Sequence, residues 1–218
     1  VAGAKTDRFS RLEGDYTQKV RTWKPIGTMA VMDVTDARIA GLAADLFYEH
    51  GIGATGVDAL SKAAGISKRT LYEHFGSKDG LIAAAYDALD VPVFKRITGM
   101  AERRSSTPRG QLEQLFAGLE AEVRSPEFHG CPFMKASAEL TDPNHPAHQV
   151  IRRYKRRLRK WMRDRARDAG ASDPDLLARQ LMIVVSGAQA ESIMENSSKP
   201  AHDACGIANA LIAAAIPE

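Results

Sequence analysis

Cysteine is scarce: 218 residues contain only Cys131 and Cys205. Two scattered thiols make no disulfide framework, so a stapled scaffold is excluded and a reducing compartment is expected. Long apolar runs are missing too. The longest stretch, 206–216, is too short to span a bilayer and is interrupted by Asn209, so no membrane partner is expected. Residues 1–13 are polar without an apolar core, so no signal peptide is expected and the expected location is cytoplasmic. No strand-like alternation of any length occurs, and no internal repeat. There is no P-loop, no GxSxG, no HExxH and no paired-carboxylate signature. These absences argue against an enzyme, and no cofactor is expected.

What is present is an ordinary globular composition, 44% hydrophobic and 26% charged. A chain of this size can bury a core without disulfides or metal. The net charge of +3 is unevenly placed. Residues 152–167 carry ten Lys/Arg and one Asp, a local +9, which leaves the rest of the chain at −6. That basic stretch admits a nucleic-acid or membrane reading. It suits better a solvated helix face whose Arg stems cover apolar surface.

Residues 1–32 are poorly patterned and moderately basic, with six Lys/Arg against three Asp/Glu, and read as a flexible arm. Helical periodicity begins at Thr35, a candidate N-cap, with Ile39, Leu42, Ala43, Leu46 and Phe47 on one stripe. Gly51-Ile52-Gly53 ends that helix. A short helix follows with Val57, Leu60 and Ala64 inward, and Gly65 stops it. Ser67 caps a third helix that ends near Phe75-Gly76. Ser77 caps a fourth, which buries Leu81, Ile82, Ala85, Tyr86 and Leu89. Pro92 marks a kink or a boundary. Thr107-Pro108 opens a further helix, 133–140 a short one, and 147–169 a long amphipathic one. Its stripe is Ile151, Tyr154, Leu158, Trp161 and Met162. Asp173-Pro174 opens the next, and the last covers about 203–216. The fold class is therefore all-α, with about nine helices.

Two short helices joined by a tight Gly turn suit a helix-turn-helix, whose second helix enters the major groove N-terminus first. With Ser67 as cap, Lys68 and Arg69 occupy that helix's first positions. Both can donate to guanine O6 and N7, and Arg can do so bidentately. Tyr72 lies one turn on, while Leu71 and Phe75 turn inward. Gly51 to Lys78 reads GIGATGVDALSKAAGISKRTLYEHFGSK. This stretch resembles the helix-turn-helix of the TetR family in its Gly-Ile-Gly-Ala-Thr lead-in and in Ala63-Ala64-Gly65-Ile66-Ser67 at the turn. Thr70-Leu71-Tyr72, His74-Phe75 and Ser77-Lys78 match as well. The likeness extends more loosely to Gly130-Cys131-Pro132-Phe133, Ala138-Glu139-Leu140 and His145-Pro146-Ala147. The resemblance implies Thr70, Tyr72, His74 and Lys78 as DNA contacts, mostly to phosphate. Gly56 stands where the family often has Thr, which leaves Thr55 as a capping or phosphate-binding hydroxyl. Glu73, acidic on a helix facing DNA, points sideways or accepts from a cytosine amino group.

The same resemblance implies an architecture and a mechanism. An N-terminal three-helix DNA-binding domain, residues 33–78, precedes a larger helical domain, residues 79–218, that binds effector and dimerises. The expected partners are double-stranded operator DNA, a small-molecule effector and a second copy of the chain. The expected activity is that of a repressor released from a palindromic operator when effector moves the fourth helix. A helix-turn-helix factor without effector, or a basic-helix membrane or protein-interaction module, are the alternatives. Phe116, Phe128, Phe133, Met134, Tyr154 and Trp161 are most simply core, and some of them are expected to line an effector cavity. Ser186-Gly187-Ala188-Gln189-Ala190 and the apolar last helix, with Ile207, Leu211, Ile212 and Ile216, suit close approach of two subunits. His129, Cys131, His145 and His148 match no zinc spacing. Cys131 reads either as a small buried hydrophobe or as a thiolate activated by nearby cations.

Overall fold

The computed structural model describes residues 34–217, and the expected arm at 1–32, with Trp23, lies outside them. Among the described residues the fold is all-helical, with nine helices and no strand. They are α1 (Val34–His50), α2 (Val57–Ala64), α3 (Lys68–Phe75), α4 (Lys78–Arg104), α5 (Pro108–Val123), α6 (Pro132–Glu139), α7 (Ala147–Asp168), α8 (Pro174–Met194) and α9 (Lys199–Ala215).

Local signals set most helix starts. Ser67, Ser77, Thr107 and Asp173 each accept a backbone N–H from the first turn, satisfying a donor that the helix leaves orphaned. Pro108 and Pro174 stand where a missing N–H costs nothing. Gly65 ends α2 at φ 69°, a left-handed position that Gly takes without steric cost. The Arg38 guanidinium, from α1, donates to the Ala64 carbonyl at 3.1 Å and closes the same helix end.

Three boundaries differ from the sequence expectation. α1 already includes Thr35, which is therefore no cap. α4 runs unbroken through Pro92, which only removes the N–H that would have met the Ala88 carbonyl. α9 begins at Lys199 rather than near 203; Ser198 makes no side-chain capping bond, so no cap residue flags the start.

α4 organises the molecule. Its first part packs on α1 and α3, and its body packs on α5 and α7. α8 and α9 pack on each other, with α9 also on α5 and α8 also on α7. One continuous apolar core results, running from Ile39, Phe47 and Leu71 through Leu81 and Phe116 to Met162, Leu181 and Ile212. Each such Leu, Ile or Phe contributes about 1.5–3 kcal/mol on burial. No helix among the described residues is long and apolar enough to cross a membrane.

Candidate nucleic-acid interface and an adjoining cavity

α3 rests on the core through one residue, Leu71, which is fully buried, with Phe75 half-buried beside it. The opposite side is open. Ser67, Lys68, Arg69 and Tyr72 are exposed together at its N-terminal half. Ser67 Oγ accepts the Thr70 N–H at 3.0 Å and lies 2.9 Å from Thr70 Oγ1, so both hydroxyls brace the helix start. The cations carry intramolecular partners. Lys68 Nζ sits 2.6 Å from Asp58 of α2, a contact that raises its pKa. Arg69 Nε donates to Glu73 Oε1 at 2.9 Å, so Glu73 does point sideways, along its own helix. Both pairs are solvent-exposed and readily exchanged for phosphate or base edges.

Other sequence-expected positions are less free. His74 Nδ1 lies 2.5 Å from Asp36 Oδ1 of α1, a charge contact whenever the ring is protonated. The Lys78 ammonium donates to the Ile52 carbonyl at 3.1 Å, which fixes it at the start of α4. Thr55 is a correction. Its side chain is buried and its hydroxyl donates to the Gly51 carbonyl at 2.6 Å, while Gly56 is the uncapped N-cap of α2. It holds the α1–α2 loop shut from within and presents nothing to a ligand outside.

Beyond this surface, a cavity of about 510 Å³ lies between α1, α4, α5, α7 and α8. Leu89, Val93, Leu115, Leu119, Leu158 and Val185 give it apolar walls. Of the six aromatic and Met residues expected there, only Phe128 and Tyr154 line it. Phe116 and Phe133 are core; Phe133 stacks on Tyr154 with ring centroids 4.0 Å apart. Met134 is half-buried elsewhere against the core. Trp161 sits at the flank of α7, its Nε1 donating to Glu102 Oε1 at 2.8 Å.

Sequence reasoning missed Lys155 and Gln189, both in the cavity wall. Lys155 looks like any of ten cations in 152–167. Gln189 did carry a signal, a carboxamide on the inward stripe of α8. Most of the other basic residues of α7 are neutralised locally. Arg153 pairs with Asp87 and Asp90, Arg157 with Asp90, Lys160 and Arg167 with Asp164, and Arg165 with Asp168.

The cavity also touches the DNA-facing unit. Ala44, Asp45 and Tyr48 of α1 form part of its wall. The Tyr48 hydroxyl donates to the Gly130 carbonyl at 3.0 Å and accepts the His129 N–H at 2.9 Å. Lys135 of α6 donates to the Tyr48 carbonyl at 2.6 Å, and Glu139 at the far end of α6 accepts the Gly53 N–H at 2.9 Å. Cys131 lines the cavity too; burial pushes its thiol pKa up, and nearby Lys155 offsets this only in part.

A short helix standing on a single buried Leu, with Ser, Lys, Arg and Tyr on its open side, defines a helix-turn-helix DNA-binding protein. The profile described as bacterial regulatory proteins, tetR family, matches residues 39–85. A putative TetR transcriptional regulator of Streptomyces avermitilis is 34% identical, with 81% of this chain and 99% of that one aligned at a TM-score of 0.70. The HTH-type transcriptional regulator YjdC of Escherichia coli is 23% identical over 73% of this chain and 83% of its own length. The fold also matches a cysteine-substituted variant of the TetR-family regulator CifR, solved with a 26-base-pair double-stranded operator DNA. There the identity is 20%, the coverage 87% of this chain and 100% of that one, and the TM-score 0.67. The chain belongs to the TetR family and is a helix-turn-helix transcriptional regulator, not an enzyme.

Proposed function

We propose that the protein is a ligand-released repressor that binds a palindromic operator as a homodimer. Residues 33–78 read DNA, and residues 79–218 bind effector and dimerise. Arg69 and Lys68 read bases, and Ser67, Thr70, Tyr72, His74 and Lys78 hold the backbone. Lys78 serves an anion through its charge and through the free N–H groups at the start of α4.

The observation that carries release is the shared wall of the cavity, where α1 and α4 meet α5, α7 and α8. This favours an effector-responsive protein over a constitutive DNA-binding factor. A ligand that fits the cavity better when α1 or α4 has shifted drives the protein away from its DNA-binding state. Leu89 and Val93 line the cavity on either side of Pro92, where α4 lacks one backbone bond and bends at low cost. The local pairing of α7's cations supports a solvated face there rather than a membrane-binding one.

Dimerisation through α8 and α9 is supported by the apolar groups they leave in solvent. Ile183 is 72% exposed, Met194 70% and Ile207 54%. The same stripes carry Gly187 and Gly206, which permit close approach of two helix pairs in an isologous contact.

The test is capture of fragmented genomic DNA by the purified protein and by a Lys68→Ala, Arg69→Ala double variant. The wild type is expected to enrich a small set of fragments and the variant none. Equal enrichment by both contradicts the assignment of α3.

A further inference from the structure

Two polar side chains in the cavity wall make no hydrogen bond to another described residue. Tyr154 and Gln189 are 2% and 5% exposed, and neither its hydroxyl nor its carboxamide has a hydrogen-bond partner among the described residues. Neither group is among the fully buried polar atoms that lack a partner, so both polar ends are open to the cavity, where a ligand can bond them. Lys155 stands next to Tyr154 on α7 and lines the same cavity. Its ammonium donates to Ser186 Oγ at 2.9 Å and has no carboxylate partner among the described residues. The other charges of the wall are disposed of differently. Arg96 is paired with Glu122 at 2.7 Å, and Asp45 and Glu127 are exposed. The wall therefore holds one cation without a carboxylate partner among the described residues, and, elsewhere in the same lining, a phenol and an amide that can both donate.

Resting on the reading of the cavity as an effector site, we propose that it takes an organic monoanion. Its acid group lies among Lys155 Nζ, the Tyr154 hydroxyl and the Gln189 amide, and its apolar body lies along Leu89, Val93 and Leu119. Burial holds the Tyr154 phenol well above its usual pKa, so it stays a donor at every physiological pH. A cationic ligand would meet Lys155 by repulsion, and a neutral one would leave its charge unmatched.

A matched pair of fluorescent probes separates the claims: 1-anilinonaphthalene-8-sulfonate is anionic, and N-phenyl-1-naphthylamine is nearly the same skeleton without the acid. The wild type is expected to bind the anion more tightly. Lys155→Met is expected to weaken the anion about tenfold or more, the loss of a hydrogen bond to a charged group, and to shift the amine less than about twofold. Tyr154→Phe keeps the ring on Phe133 and is expected to weaken the anion alone, about threefold to tenfold. Val185→Trp, which fills the cavity, is expected to abolish both. Decanoate is expected to displace the amine at lower concentration than decanol, which carries the preference from sulfonate to carboxylate. Equal losses for both probes in Lys155→Met and Tyr154→Phe, or no loss in either variant, overturn the proposal. Binding of the amine without any preference for the anion overturns it while leaving an effector site in place. Failure of the wild type to bind either probe overturns the effector reading itself.

Discussion

Cys131 shows at the scale of one residue how burial and charge compete. The sequence places it close to cations, which would activate a thiolate. In the fold it is buried among apolar groups, and desolvation outweighs the attraction of Lys155, so its pKa lies above the ordinary thiol value. The sign follows directly. A raised pKa keeps the thiol protonated at neutral pH, and the folded protein loses stability as pH rises past the ordinary thiol value, where the unfolded chain ionises first. Alkylation of Cys131 by iodoacetamide is expected to be slower than that of free cysteine at pH 7–8, and its rate to climb only at higher pH. Peptide mass mapping over a pH series measures this. A rate at pH 7 above that of free cysteine would show an activated thiolate instead. The same scale explains what was legible. Ser67, Lys68, Arg69 and Tyr72 stand where sequence placed them because a cap and 3.6-residue periodicity fix their side of a short helix. Thr55 was misread because its bond to the Gly51 carbonyl depends on how a loop closes, which no spacing records.

Among the elements, α6 is the candidate link between cavity and DNA surface. Its first turn adjoins Cys131 in the cavity wall, Lys135 holds the end of α1, and Glu139 holds the Gly53 N–H in the α1–α2 loop. A Cβ at Gly51, which has φ +87°, would also come within 3.2 Å of the Glu139 carboxylate, so the loop and α6 are closely apposed. If α6 carries the coupling, Glu139→Ala is expected to reduce it without emptying the cavity. The coupling is the factor by which DNA weakens the anionic probe, and linkage makes it equal to the factor by which the probe weakens DNA. Paired titrations of wild type and variant measure it. The factor is expected to move toward one in Glu139→Ala, and an unchanged factor assigns the coupling to α4 alone. Element starts were legible at Ser67, Ser77, Thr107 and Asp173, where a cap residue announces them, but not at Thr35, which lies inside α1. Trp161 was misplaced for a packing reason: α7 buries the row Tyr154, Leu158, Met162 and Ala166, spaced by four, and Trp161 lies one position off that ridge. Lys155 acquires its meaning only when α7 and α8 close on α1 and α4, which no local pattern contains, whereas Gln189 shows in the sequence only as a carboxamide on the inward stripe of α8.

For the whole molecule, the exposed stripe of α8 and α9 and the open face of α3 answer to each other. A homodimer joined through α8 and α9 presents two copies of α3 related by a two-fold axis, and such a pair matches a near-palindromic site. Ile183→Glu places a charge in the middle of the apolar stripe and is expected to shift the protein to monomer in sedimentation at micromolar concentration, with helix content unchanged by circular dichroism. Retention of a stable dimer would place the interface elsewhere. The central claim, that α3 reads a specific duplex, is tested most directly by selecting bound sequences from a random duplex library with wild-type protein and with Arg69→Ala. One near-palindromic sequence is expected, with half-sites about one helical turn or more apart, and relaxed base choice at one position per half-site for the variant, at a cost of about 1–3 kcal/mol. Selection that yields no preferred sequence, or the same sequence at the same affinity with Arg69→Ala, would contradict it.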